Sequence, residues 1–164
     1  MTNRAAQFID PRDAGLRGLD LPKPLFDDAD LARAEDTLKA LSNSMQQWLD
    51  ADVEKLQLAR LTCEAASWRF SALEAVLGAG HDLKGMGATY GYPIVTQIAA
   101  SLCRLIETEA GKATAQSDPT LVCAHVDALR AAVRDHIKEA SHPVGRLLVQ
   151  TLEAHVDRLG VAPR

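Results

Sequence analysis

Aromatic side chains are scarce in this chain, making up 4% of its 164 residues. Sheet-built cores draw on aromatic and β-branched residues, so an aliphatic, alanine-rich core favours helices. Cysteine is equally sparse. Cys63, Cys103 and Cys123 have no paired zinc spacing, and any disulfide scheme leaves one over. All three fall within helical patterns, so buried free thiols in a reducing compartment are expected. A basic excess is missing too. The formal net charge of −4 argues against a nucleic-acid partner. No run of about 18 apolar residues could span a bilayer, and the N-terminus has no apolar signal region. A soluble cytoplasmic protein without membrane contact is the expectation. There is no Walker A loop and no dinucleotide-binding glycine fingerprint, so no ATP site is expected on this chain. Strand-like alternation and long-period repeats are absent.

What is present is helical periodicity, with 47% hydrophobic residues, enough for one sizeable core. Residues 1–26 are interrupted by Pro11, Gly15, Gly18, Pro22 and Pro24 and read as an arm, partly disordered or draped over the rest. A single helical domain is expected over residues 27–160. Phe26, Asp27, Asp30 and Leu31 fit a staple and an aspartate cap opening the first helix. Leu31, Ala34, Leu38, Leu41, Met45 and Trp48 then recur at three and four spacing. The stripe slips near Asp50, and Leu49, Val53, Leu56, Ala59 and Cys63 carry a new register. This is either a stutter in one helix or a break into two, with the first half accessory to the bundle. After a junction near residues 66–70 comes a helix expected to end at Gly91. Pro93 opens the next, with Ile94, Ile98, Leu102, Leu105 and Ile106 inward. Residues 112–117 read as a loop. Asp118-Pro119 restarts a helix with Val122, Val126, Leu129, Val133 and Ile137 inward, ended by His142-Pro143. The last helix has Val144, Leu147, Leu148, Thr151, Leu152, Val156 and Leu159 on its face and Gly160 as its stop. His125 and His136 should flank a stripe, and His155 should lie inside one.

Residues 71–91 break the local rules most often. Ser71 and Glu74 fit a capping box. Yet Gly78, Gly80, Gly85 and Gly87 fall inside the same periodic segment. Each costs a helix interior about 1 kcal/mol, roughly 4 kcal/mol together, against a domain stability of ~5–15 kcal/mol. A segment that gives up this much is a candidate site. At about 100° per residue, Ala72, Val76, Leu83, Met86 and Tyr90 gather opposite His81 as the expected core stripe. Leu77, Gly78, Lys84, Gly85 and Ala88 lie within roughly 60° of His81. The histidine therefore centres an outward face with a low-relief border and one lysine a turn away. An ammonium so placed suits an anion carried on the imidazole. A zinc site is disfavoured because the i+4 position is Gly85.

The run His81-Asp82-Leu83-Lys84-Gly85, with Gly91 ten residues after the histidine, resembles the signature of histidine phosphotransfer (HPt) domains, over about residues 45–140. The resemblance implies an all-α, up-down four-helix bundle with an extra N-terminal helix or arm and an extra C-terminal helix. It implies that His81 carries a phosphoryl group between aspartates of response-regulator receiver domains, through Nε2. Lys84 would stabilise the phosphoryl oxygens, and Leu77, Gly78, Gly85 and Ala88 would form the receiver docking face. The expected partners are receiver domains and a hybrid or sensor histidine kinase. The chain binds no cofactor or metal itself in this reading, magnesium coming with the receiver, and it acts as a monomer. The chain departs from the family pattern at Cys103, where a polar residue often orients the histidine. Two alternatives stand beside the carrier: an HPt-shaped adaptor that binds a receiver or kinase without phosphate turnover, and an enzymatic role, as the phosphotransfer domain of a chemotaxis-type kinase or as a phosphatase assisting receiver hydrolysis.

Overall fold

The computed structural model describes residues 27–161. The arm expected over residues 1–26, with Phe26 of the staple, lies outside them. Six helices run in order: α1 Asp28–Ala65, α2 Phe70–Met86, α3 Pro93–Ile106, α4 Glu109–Ser117, α5 Thr120–Arg134 and α6 Pro143–Leu159. No strand occurs among the described residues, so the fold class is all-α. Chain contacts divide the molecule into Met1–Leu38 and Lys39–Arg164.

In the first unit the described residues open α1. The Asp27 carboxylate accepts from the Asp30 amide at 2.8 Å, and Asp30 accepts from the Asp27 amide at 3.1 Å. This reciprocal cap satisfies two amides with no partner inside the helix and puts negative charge at its positive end. Asp30 also pairs with Arg33 one turn on.

The second unit holds the core. Nine of the fourteen α3 residues are buried, including the expected Ile94, Ile98, Leu102, Leu105 and Ile106. An apolar surface this wide needs cover on several sides. α3 accordingly packs against α2, α4, α5 and α6. Val122, Val126, Leu129 and Val133 of α5 face it as expected. α1 enters the same core through Leu49, Val53, Leu56 and Cys63. The slip near Asp50 is thus a stutter in one unbroken helix. Only the second register is buried. Leu31, Ala34, Leu38, Leu41 and Trp48 of the first face solvent.

Several local expectations are overturned. Residues 112–117 are helical, because the Thr108 hydroxyl caps α4 by accepting from the Gly111 amide at 3.0 Å. Lys112 then bridges Glu109 and Glu74, tying α4 to α2. The 119–140 helix stops at Arg134, where His136 takes a left-handed φ of 53°. The chain then turns back so that the Lys138 carbonyl accepts from the Ile94 amide at 3.0 Å. Ile137, outside the helix, still packs on the core. The cap of α5 is Pro119, with no side-chain cap bond, and not Asp118 as expected. Asp118 stands one residue earlier, where its carboxylate accepts from the Thr120 amide at 3.0 Å, and the Thr120 side-chain and amide hydrogen bonds hold its carboxyl below the usual range. Along α6 only Gly145, Leu152 and Val156 are buried, while Val144, Leu147, Thr151 and Leu159 are exposed. Gly160 ends that helix at φ 64°, a conformation glycine adopts freely.

The remaining histidines also moved. His125 does not flank a stripe but is fully buried: Nδ1 donates to the Leu121 carbonyl at 2.7 Å and Nε2 accepts from the Ser101 hydroxyl at 3.0 Å. Burial pushes its pKa down to about 4, so it is neutral. His155 lies outside the core and bonds to the Thr151 carbonyl. His136 is exposed at its backbone turn and meets the Tyr92 hydroxyl at 3.2 Å.

Candidate functional site

α2 is built from a glycine-rich stretch, and its packing explains two of the four glycines. The buried face is Leu73, Val76, Ala79, Gly80 and Leu83. This face differs from the expected one: Met86 is 39% exposed, and Ala72 and Tyr90 are only half-buried. The reason is Gly80. A Cβ there would stand 3.3 Å from the Cys103 sulfur and 3.6 Å from Leu102 Cδ2, so α2 lies close against α3 along its glycine side. Gly87 is tighter still, because a Cβ would come within 2.8 Å of the Thr96 amide nitrogen. At Gly78 and Gly85 a Cβ would meet nothing within 4 Å. Neither is required by packing.

His81 follows Gly80 in sequence, so its side chain turns about 100° away from the α3 contact. It is exposed, as are Gly78, Lys84, Gly85 and Ala88. Leu77 is half-buried and packs against the core, which makes it the edge of the face rather than its surface. The polar contacts around the histidine go to its neighbours and not to the imidazole or to Lys84. Asp82 pairs with Lys55 of α1. The Tyr90 hydroxyl donates to Asp52 at 3.0 Å. Thr96 Oγ1 accepts from the Ala88 amide at 2.9 Å.

These contacts fasten the end of α2. The capping box expected from Ser71 and Glu74 does not form. The cap position is Arg69, with no side-chain hydrogen bond, and Glu74 is drawn to Lys112. At the other end the helix stops at Met86 and not at Gly91. The Tyr92 amide donates back to the Gly87 carbonyl at 2.9 Å, and Gly91 takes φ 82°. Only a glycine holds that angle without strain.

Cys103 stands where an orienting residue was sought. Its thiol is buried against the α2 glycine face, and burial pushes its pKa up to about 11, with the Lys84 charge pulling weakly the other way. It makes no hydrogen bond to His81, and the one glutamine of α3, Gln97, which could otherwise have served as the orienting residue, is exposed. The imidazole therefore keeps both ring nitrogens available to a partner.

One feature was missed at the level of sequence. A groove beside His81 runs between α1 and α2, lined by Lys55, Leu58, Thr62, Ala75, Gly78 and Asp82. Leu58 and Leu61 are exposed next to it. Their signal was present: two leucines three residues apart, off the stripe of Val53, Leu56 and Cys63. No group of three or more His, Cys, Asp or Glu side chains able to hold a metal occurs among the described residues. No described helix is long and apolar enough to cross a membrane. No family model matches the chain, and neither does any curated protein or solved structure.

Proposed function

We propose that the chain is a histidine phosphotransfer protein of a two-component phosphorelay, with His81 as the carrier. The observation that supports this most is the isolation of the imidazole. It stands exposed on a fastened helix, free of internal partners, between Gly78 and Gly85, where added carbons would meet only solvent. A histidine kept for stability would be tied down, as His125 is by Leu121 and Ser101. In this reading the second half of α1 with α2, α3 and α5 makes the four-helix bundle, and α4 and α6 are additions.

The chemistry needs little else from the chain. The neutral imidazole offers a nitrogen lone pair to the phosphorus of a receiver's aspartyl phosphate. An N–P bond forms at Nε2 as the aspartyl O–P bond breaks, and the electron pair leaves with the carboxylate. Transfer onward is the reverse at a second aspartate. Lys84 meets the non-bridging oxygens as charge shifts between the two ends. The receiver brings the magnesium ion. The open border at Gly78, Gly85 and Ala88 admits its surface.

The test is incubation with a phosphorylated receiver, followed by an assay for acid-labile, base-stable phosphate. Label is expected on the wild type and absent from His81→Gln, with His125, His136 and His155 intact as internal controls. Phosphate retained by the variant moves the role to another histidine. Tight receiver binding with no label in the wild type makes the chain an adaptor.

A further inference from the structure

A cleft of about 420 Å³ opens between α4, α5 and α6 and shares no lining residue with the face around His81. Its volume falls in the range of small-molecule sites. Its wall is mostly apolar, with Leu121 and Ala124 of α5 facing Leu152 of α6. Leu152 belongs to the buried core and Leu121 and Ala124 pack on it, so the floor is firm. Leu159 stays 44% exposed on the same lining, where an apolar occupant would cover it.

Two opposite charges border this surface. Asp118 stands just before α5, and Arg158 lies in the last turn of α6. They do not pair with each other, and neither has an ion-pair partner among the described residues. Arg158 donates through Nε to the Ala154 carbonyl at 3.1 Å, and the rest of its donor fork is unspent. Asp118 accepts from the Thr120 amide through Oδ1 at 3.0 Å, and a carboxylate keeps further lone pairs beyond that bond. His155 Nδ1 donates to the Thr151 carbonyl at 2.7 Å, which leaves the neutral ring's Nε2 as another acceptor on the lining.

These groups select the ligand by its charge. A lone anion would be drawn to Arg158 but repelled by Asp118, and a lone cation the reverse. A zwitterion with an apolar body meets both charges and covers the apolar wall. We propose that the cleft binds a free α-amino acid with a large apolar side chain. Its carboxylate lies on the Arg158 fork, its ammonium on Asp118, and its side chain against Leu121, Ala124 and Leu152. The site is independent of the phosphotransfer reading, since it uses none of that reading's residues.

The test is titration of the full chain, followed by its amide chemical shifts. L-Phenylalanine is expected to saturate one site per chain with a low-millimolar Kd or tighter. 3-Phenylpropionate lacks the ammonium and phenethylamine lacks the carboxylate, and each should bind at least tenfold more weakly. Arg158→Gln should weaken L-phenylalanine at least tenfold without weakening phenethylamine. Asp118→Asn, which keeps an oxygen for the Thr120 amide, should weaken L-phenylalanine as much without weakening 3-phenylpropionate. Ala124→Phe should fill the cleft and remove binding. Both charged residues are exposed, so their variants carry the test even where Ala124→Phe fails to fold. A wild type that does not saturate with L-phenylalanine in the millimolar range overturns the proposal. So does either single-charge analogue binding as tightly as the amino acid, or an affinity for L-phenylalanine unmoved by the two charge variants. A folded Ala124→Phe protein that still binds overturns it too.

Discussion

At the scale of the residue, Lys84 and Gly85 separate two requirements of the proposed transfer. Gly85 meets nothing within 4 Å of a built Cβ, so its smallness serves whatever approaches from outside. Gly85→Gln should therefore leave the fold intact and slow transfer from a receiver, because misplacing reacting atoms by about 1 Å can cost on the order of 10²-fold in rate. Receiver affinity should fall with it. Lys84→Ala removes charge without adding bulk, so transfer should slow while affinity largely survives. Rates and affinities of both variants, measured side by side, check the distinction. A Gly85→Gln protein that transfers at the wild-type rate removes the argument for access. His81→Gln should melt within about 0.5 kcal/mol of wild type, as an exposed side chain without partners contributes little to stability.

At the scale of the element, the three glycines of α2 and Gly87 at its C-terminal cap divide into two pairs that substitution should resolve. Gly78 and Gly85 occupy open helix positions, so alanine at either should raise stability by up to about 1 kcal/mol. Gly87 has the Thr96 backbone at 2.8 Å from where a Cβ would sit. Gly87→Ala must push the start of α3 away and loosen the Thr96 bond to Ala88, which should lower stability by about 1–3 kcal/mol. Denaturant melts of the three variants give the comparison. If Gly85→Ala destabilises like Gly87→Ala, both glycines serve packing. The sequence pattern already set Gly78 and Gly85 apart on the His81 face, but it did not show how tightly Gly80 and Gly87 are packed. Their difference lies in Thr96, Leu102 and Cys103 of α3, residues distant in the chain that set how closely α2 can be approached.

At the scale of the whole molecule, acid stability should turn on a residue far from the site. His125 is buried, with its pKa lowered from 6.5 to about 4, chiefly by burial. Below pH 6.5 the unfolded chain takes up a proton that the folded chain refuses, so this contribution is full above that pH and is lost as pH falls toward 4. At about 1.4 kcal/mol per pKa unit the loss is roughly 3 kcal/mol. Melting measured from pH 7 to pH 4 should show that slope. His125→Gln, which keeps a polar group near Ser101, should flatten it. A wild type equally stable at both ends of the range means that His125 is protonated in the folded state.

The sequence by itself determined the features that depend on one turn of chain. The all-helical class followed from periodicity and from the lack of aromatic residues. The Asp27 and Asp30 cap, the Gly160 stop, the inward faces of α3 and α5 and the outward direction of His81 are of this kind. Each rests on side chains within a few residues of one another. The tertiary structure decided whatever depended on a competing partner. Ser71 and Glu74 are a valid cap in isolation, but Lys112 draws Glu74 away. Either stripe of α1 could have been buried, and the second was, because Leu49, Val53 and Leu56 meet the core. His125 is buried because Ser101, 24 residues away, supplies its second hydrogen bond. His155 has only the Thr151 carbonyl of its own helix and stays outside. A polar ring enters a core only where both its nitrogens can be satisfied, and that condition is set by folding.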